Sequence, residues 1–365
     1  MRLHTLLKML QFKRPMGSRT EHNFRKYFIH SIKNSWEDDE GNIHVLIARK
    51  DKKWPKVMWS CHTDTVHTSE GYQRVRLRRG EVSLAKGDPS NCLGADCTIG
   101  VWLMREMIAA KVPGHYVFHW GEERGCIGSK AVTLKHPEYF RRAKAIIAFD
   151  RRDDTDIITH QRGRRTASDA FAKSLMPMLP KGYAPSSEGI YTDSAEYADL
   201  VSECTNLSVG YMGEHSSSET VDLKVTVKLL QRIIETFDED KLTFARDPNV
   251  KEYKSYKTEG GYYGHHYPSQ GKKGKWAGYD NRPASPSVTV MGPAVPAAVP
   301  ASPKPLVKGY TSEKPILIQG KYHMIENGHL VELKDDEARL TEWLRRKDAE
   351  DERTLINARV YGREC

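Results

Sequence analysis

A three-layer α/β/α fold with a mostly parallel central sheet is predicted for the first two-thirds of this 365-residue chain, on three observations. Short apolar runs of strand length recur at 57–60, 116–120, 145–149 and 207–211. Helical apolar spacing alternates with them, in 99–110 and again at Leu223, Val227, Leu230 and Ile234 within 221–237. Each apolar run ends just before a candidate His, Asp or Glu ligand. Alternating strands and helices imply a sheet covered on both faces, and sheets of this kind gather ligands at the carboxyl ends of their strands.

The segments follow in order. Residues 1–12, with Leu3, Leu6, Leu7, Met9 and Leu10, read as an amphipathic first helix. Lys8 interrupts the apolar run and no small-residue cleavage site follows, so a signal peptide is not expected. The first domain is placed at 1–245. The organisation changes after about Arg246: residues 251–308 are rich in Lys, Tyr, Gly and Pro, and hydrophobic periodicity disappears. A linker over 246–305 is expected, flexible at first and more extended where proline dominates. The charged residues of 251–308 give an excess of about +6, a large share of the chain's formal +9. Basic residues interleaved with Tyr253, Tyr256, Tyr262, Tyr263 and Trp276 are the chemistry with which 251–282 would contact nucleic acid or another polyanion. A solvated tether accounts for the same composition more simply.

Pattern returns at 306–365, read as a small α+β module. Runs at 315–318, 322–325 and 330–333 look like strands, Asn327-Gly328 offers a turn, and a charged helix is expected over 335–349. At roughly 60 residues such a module is marginal alone, so docking on the first domain or on an unidentified partner is expected.

Composition excludes several classes. No apolar run approaches the ~18 residues needed to span a membrane. Six scattered cysteines include no Cys-x-x-Cys pair, which argues against both a disulfide framework and a structural zinc knuckle. Reduced cysteines fit a cytoplasmic location.

The chemistry lies in five sites taken together: His62-Thr63-Asp64, Gly94-Ala95-Asp96, Gly121-Glu122-Glu123-Arg124-Gly125, Asp150 and Gly213-Glu214-His215. Two imidazoles and a set of carboxylates are the donors a pair of zinc ions takes, with a coordination position left open for water. Two ions about 3.5–4 Å apart need a shared ligand, and Asp96 is the candidate. His62 and Asp150 would complete one ion, Glu123 and His215 the other. Asp64, two residues beyond His62, would accept the imidazole's second N–H and orient it. Adjacent side chains diverge, so Glu123 reaching a metal leaves Glu122 as the general base. Each piece alone has an ordinary reading, as a surface pair, a solvated charge pair or a capping aspartate. Their occurrence in order, each after an apolar strand, carries the assignment.

These motifs resemble the zinc-dependent exopeptidase superfamily with co-catalytic metals, which includes bacterial aminopeptidases, peptidase T and relatives of carboxypeptidase G and acetylornithine deacetylase. The resemblance covers roughly residues 1–240. It is most specific at 116–130 (YVFHWGEERGCIGSK), similar to the aminopeptidase-like branch, and continues through Tyr191-Thr192-Asp193-Ser194 and His215. It implies His62, Asp96, Glu123, Asp150 and His215 as metal ligands, Glu122 as general base and Asp64 as orienting carboxylate. Two departures stand out. The family usually has a second Asp where this chain has Cys97, and only about 65 residues separate Asp150 from His215, too few for an inserted domain of ~100 residues.

The activity so implied is hydrolysis of an amide bond, by an exopeptidase acting on small peptides with two Zn²⁺, for which Co²⁺ or Mn²⁺ could substitute on the same donors. A deacylase of N-acyl amino acids is the alternative enzyme, and a metal-binding assembly protein with a vestigial site the alternative class. An acidic pocket would suit a free amino terminus and an Arg a carboxylate, and both kinds of residue follow Asp150.

Overall fold

The computed structural model describes residues 2–49, 51, 54–140 and 142–254, with three short strands at Ile316–Ile318, Lys321–Glu326 and His329–Glu332. The first unit is a mixed α/β domain around an eight-stranded sheet. Its strands are β1 (Trp36–Glu37), β2 (Ile43–Ile47), β3 (Val57–His62), β4 (Gly114–His119), β5 (Ala145–Arg151), β6 (Asp156–Ile158), β7 (Ala184–Ser186) and β8 (Glu203–Ser208). The spatial order is β7-β6-β8-β5-β3-β4-β2-β1. The central four, β8-β5-β3-β4, are parallel to their neighbours. Strand β2 runs antiparallel to β4, β1 to β2 and β6 to β8.

Side-chain alternation makes the three layers. From β3 the residues Val57, Trp59 and Cys61 enter one core, as do Tyr116 and Phe118 of β4 and Ala145, Ile147 and Phe149 of β5. The intervening Met58, Val117 and Ile146 enter a second. Helices α1 (Leu3–Met9), α3 (Ala95–Ala109) and α7 (Leu223–Thr236) contribute to the first core, and α4 (Ile127–Lys135) and α6 (Asp193–Glu196) border the second. Period-2 strands buried on both sides read as unbroken apolar runs, which is why their sequence signal is strong.

Two short helices, α2 (Arg19–Arg25) and α5 (Asp169–Leu175), carry conventional caps: Ser18 Oγ accepts from Glu21 N–H and Ser168 Oγ from Phe171 N–H. Helix α3 lies very close to the sheet. A Cβ on Gly100 would stand 2.4 Å from Phe149 O and 2.8 Å from Cys61 Cβ, so a larger residue would push the helix off β3 and β5.

Strand β3 leads through α3 to β4 on one side, and β4 leads through α4 on the opposite face to β5 on the other side. The chain therefore reverses its direction of travel at β3. A crevice opens where the connections diverge, and His62 ends β3, Glu122 follows β4 and Asp150 lies near the end of β5.

Three local readings need correction. The run at 207–211 is not one strand: β8 ends at Ser208, Gly210 turns the chain, and Tyr211–Met212 starts a short strand of a second, four-stranded sheet. Buried Glu203, Thr205 and Asn206 conceal the true strand, because the groups that satisfy them are distant in sequence. The helix read over 221–237 begins at Leu223, Val221 being paired with Val82 in that sheet. The segment from Arg246 to Lys254, assigned by composition to the linker, packs on the domain. Buried Arg246 donates to the carbonyls of Ala198 and Val201, and Lys254 N–H to Gly163 O.

The remainder of the linker (255–305) and the helix read over 335–349 lie outside the described residues. The three C-terminal strands form an antiparallel meander. Among the described residues no helix is long and apolar enough to cross a membrane.

Candidate active site

His62 is the last residue of β3 and is fully buried. Its Nε2 lies 2.9 Å from Asp96 Oδ1 and 3.3 Å from Asp150 Oδ1. Asp96 sits at the start of α3 where the backbone is not helical (ψ 107°), and its second oxygen, Oδ2, lies 3.3 Å from His215 Nε2. His215 Nε2 is in turn 3.2 Å from Glu123 Oε1. Asp96 thus presents one oxygen to each imidazole. Two donor groups share it: His62, Asp96 and Asp150, with the Cys97 thiol beside them, on one side, and Asp96, Glu123 and His215 on the other, the ligand atoms of each group lying within 4.8 Å of one another.

These spacings suit zinc, since ligands about 2.0–2.1 Å from a tetrahedral ion stand about 3.3 Å apart. Glu123 Oε1 is buried, and its contact with His215 Nε2 at 3.2 Å lacks hydrogen-bond geometry. The electrostatics agree. Burial opposes protonation of His62, yet Asp150 and the other acids raise it well above the usual imidazole range, and the adjoining carboxylates of Asp96 and Glu123 raise His215 to about 11. Carboxylates that keep protons on two imidazoles are a negative cluster in which a cation could displace those protons and balance the charge. The donor set fits a metal cation.

Supporting groups place these donors. Thr192 Oγ1 donates to Asp150 Oδ2 at 2.5 Å, Tyr211 OH lies 3.5 Å from Oδ1, and Asn206 holds the Asp150 backbone from both N–H and C=O. Asp64 departs in part from its expected task. His62 Nδ1 is 3.1 Å from the Asp64 backbone carbonyl and 3.4 Å from its carboxylate, while that carboxylate accepts N–H bonds from both Glu122 (3.1 Å) and Glu123 (3.2 Å). Asp64 therefore ties the end of β3 to the Glu122–Arg124 turn, a link with no local sequence signature.

Glu122 lies with His62 and Glu123 in a third group of donors within 4.8 Å. Burial, reinforced by Asp150, Asp193 and Asp96, raises its carboxyl far above the ordinary range against the pull of His62. The Cys97 thiol donates to Phe149 O at 3.1 Å, and burial pushes it well above the usual thiol range, so it is held neutral and turned to a carbonyl. The Asp96–Cys97 peptide is cis.

Beside the donors a cavity of about 200 Å³ is walled by Ile158, Gln161, Ile190, Tyr191, Arg151 and Arg152, among others. Both of these guanidiniums are engaged, Arg151 with Asp156 (2.9 Å) and Arg152 with Glu214 (3.0 Å).

No family model matches the chain, and no curated protein matches it in sequence. Its fold is that of known peptidase structures. Aminopeptidase PepT from Bacillus cereus superposes with a TM-score of 0.50 at 16% identity, over 64% of this chain and 96% of that one. A tripeptidase from Staphylococcus aureus superposes with a TM-score of 0.51 at 14% identity, over the same shares.

Proposed function

We propose that this chain is a metal-dependent hydrolase of amide bonds, an aminopeptidase-like exopeptidase acting on small peptides. The observation that carries the reading is the Asp96 carboxylate divided between two imidazoles, with Glu122 beside both donor groups. His62, Asp96 and Asp150 would hold one ion and Asp96, Glu123 and His215 the other, zinc being the metal that best suits the donors. When bound, such a pair polarises a scissile carbonyl and acidifies water. Glu122 would take a proton from the attacking water and return it to the departing nitrogen, so that bond making and bond breaking are served by one carboxyl group. Asp64 keeps the Glu122 backbone in register with His62, and Ile158 and Ile190 give the cavity an apolar side.

Peptidase is favoured over N-acyl amino acid deacylase by the cavity wall. A deacylase needs a cation for the substrate's carboxylate, and both guanidiniums there are already paired. The free buried thiols Cys61, Cys92, Cys97, Cys126 and Cys204 support a reducing, cytoplasmic setting. The test is metal content of purified protein together with assays on aminoacyl amides and N-acyl amino acids. Two zinc ions with cleavage of the former supports the proposal; cleavage of N-acyl amino acids alone overturns its substrate class, and a zinc-replete protein without bound metal overturns it entirely.

A further inference from the structure

Helix α3 begins without a local cap. Gly94 adopts φ 70° and has no side chain to cap with, and Asp96 and Cys97 are not helical, so the N–H groups of this lead-in to α3 need an acceptor from elsewhere. They find Glu219. Its Oε2 accepts from Gly94 N–H at 2.8 Å and its Oε1 from Asp96 N–H at 3.1 Å. The residue is 1% exposed, and among the described residues no Lys, Arg or His forms an ion pair with it. The main-chain amides favour its carboxylate form, although burial and the neighbouring Asp96 outweigh them and raise the carboxyl to about 7. The loop is also pressed from its other side, since a Cβ on Gly94 would stand 2.8 Å from His67 Cε1.

Glu219 also lies four residues beyond His215. Its own N–H donates to Ser216 O at 3.1 Å, closing the turn after His215, and the next residue, Thr220, pairs with both Ser83 and Met212. One side chain therefore spans two loops more than a hundred residues apart in sequence, those that carry Asp96 and His215.

We propose that Glu219 is a positioning residue that sets Asp96 between the two donor groups and holds the His215 loop against it, and so governs binding of the second ion. The inference rests on the metal reading above. Loss of either hydrogen bond would let the shared carboxylate turn away from His215, whose side chain is half-exposed.

The experiment is titration of metal-free full-length protein with Co²⁺ and with Zn²⁺, followed by calorimetry and, for cobalt, by visible absorption. Wild type is compared with Glu219→Gln, which keeps the shape but sets an NH₂ donor against one of the backbone N–H groups. The expected result is first-ion affinity close to wild type, second-ion affinity reduced about 10–100-fold, and turnover that recovers as metal is raised. A general loss of stability would not change the ratio of the two affinities; Arg246→Ala, which removes buried hydrogen bonds to the carbonyls of Ala198 and Val201 and touches none of the donors, serves as that control.

Equal second-ion affinities in wild type and Glu219→Gln overturn the proposal while leaving the metal reading intact. If Glu219→Gln does not fold, Glu219→Asp, which keeps the charge but shortens the reach, replaces it, and an unchanged second ion there is equally decisive. Failure of both variants to fold makes Glu219 a determinant of the fold and overturns the positioning role. A wild type that binds no metal overturns the metal reading itself.

Discussion

His62 and Asp150 reach the site from strands, whereas Glu123 and His215 reach it from turns. The side chains of this first pair are little exposed (1% and 7%), and Asp150 is braced by Thr192, Tyr211 and Asn206. The second pair is looser. His215 has a half-exposed side chain (49%) and positive φ, and Glu123 rests on a single turn between Gly121 and Gly125. The donor chemistry of the two halves is nearly the same, an imidazole and a carboxylate around the shared Asp96. Their difference is rigidity. Ligands already held in place lose less conformational freedom on binding, so the strand half is expected to bind its ion more tightly and first.

The largest expected effect falls on the group between the halves. Glu122→Gln should lower turnover roughly 10²–10⁴-fold with two ions still bound, as read by steady-state assay beside elemental analysis. Equal turnover in this variant would remove Glu122 from the chemistry.

Next comes the contrast between ligands. His62→Ala should leave protein that retains neither ion under dialysis, because the tight position is lost, whereas His215→Ala should retain one. Loss of a direct ligand should exceed the roughly 10–100-fold seen for supporting residues. If the two variants retain the same number of ions, the two halves do not differ as proposed.

A smaller effect is expected from metal removal. An ion present at 100 times its Kd adds about 2.7 kcal/mol to stability, so chelation should lower the melting temperature in two steps, the looser ion leaving first with little thermal cost. A single step would mean that the halves bind together.

The smallest effect separates the braces. Thr192→Val, which removes a hydroxyl from Asp150, should weaken the first ion about 10–100-fold. Ser216→Ala on the exposed turn should stay within about 0.5 kcal/mol in stability and leave the first ion unchanged. Both are read by calorimetric titration and thermal melts.

The central strands were legible because burial on both faces writes itself as continuous apolar runs, as at 57–60 and 145–149. Strand β8 was not, because Glu203, Thr205 and Asn206 are polar and buried. Glu203 is satisfied by Ser168 and by the backbone of Ala245 and Arg246, partners that only folding brings near. The candidate donors were legible as residue types in order, each beside a strand end or a glycine-flanked turn. Thr192, Asn206 and Glu219 were not, since a hydrogen bond between residues 42, 56 or 123 positions apart leaves no periodicity to read.

Residue chemistry and local pattern were therefore sufficient for the α/β class, the alternation of layers and the identity of the candidate donors, because those follow from hydrophobic spacing and from which side chains bind metal. Which oxygen of Asp96 faces which imidazole, the attachment of Asp64 to the Glu122 turn, the pairing of the cavity's guanidiniums and the capping of α3 by Glu219 depend on chain crossings at β3. Such contacts are set by the packing of distant segments, and their geometry exists only once the sheet has brought those segments together.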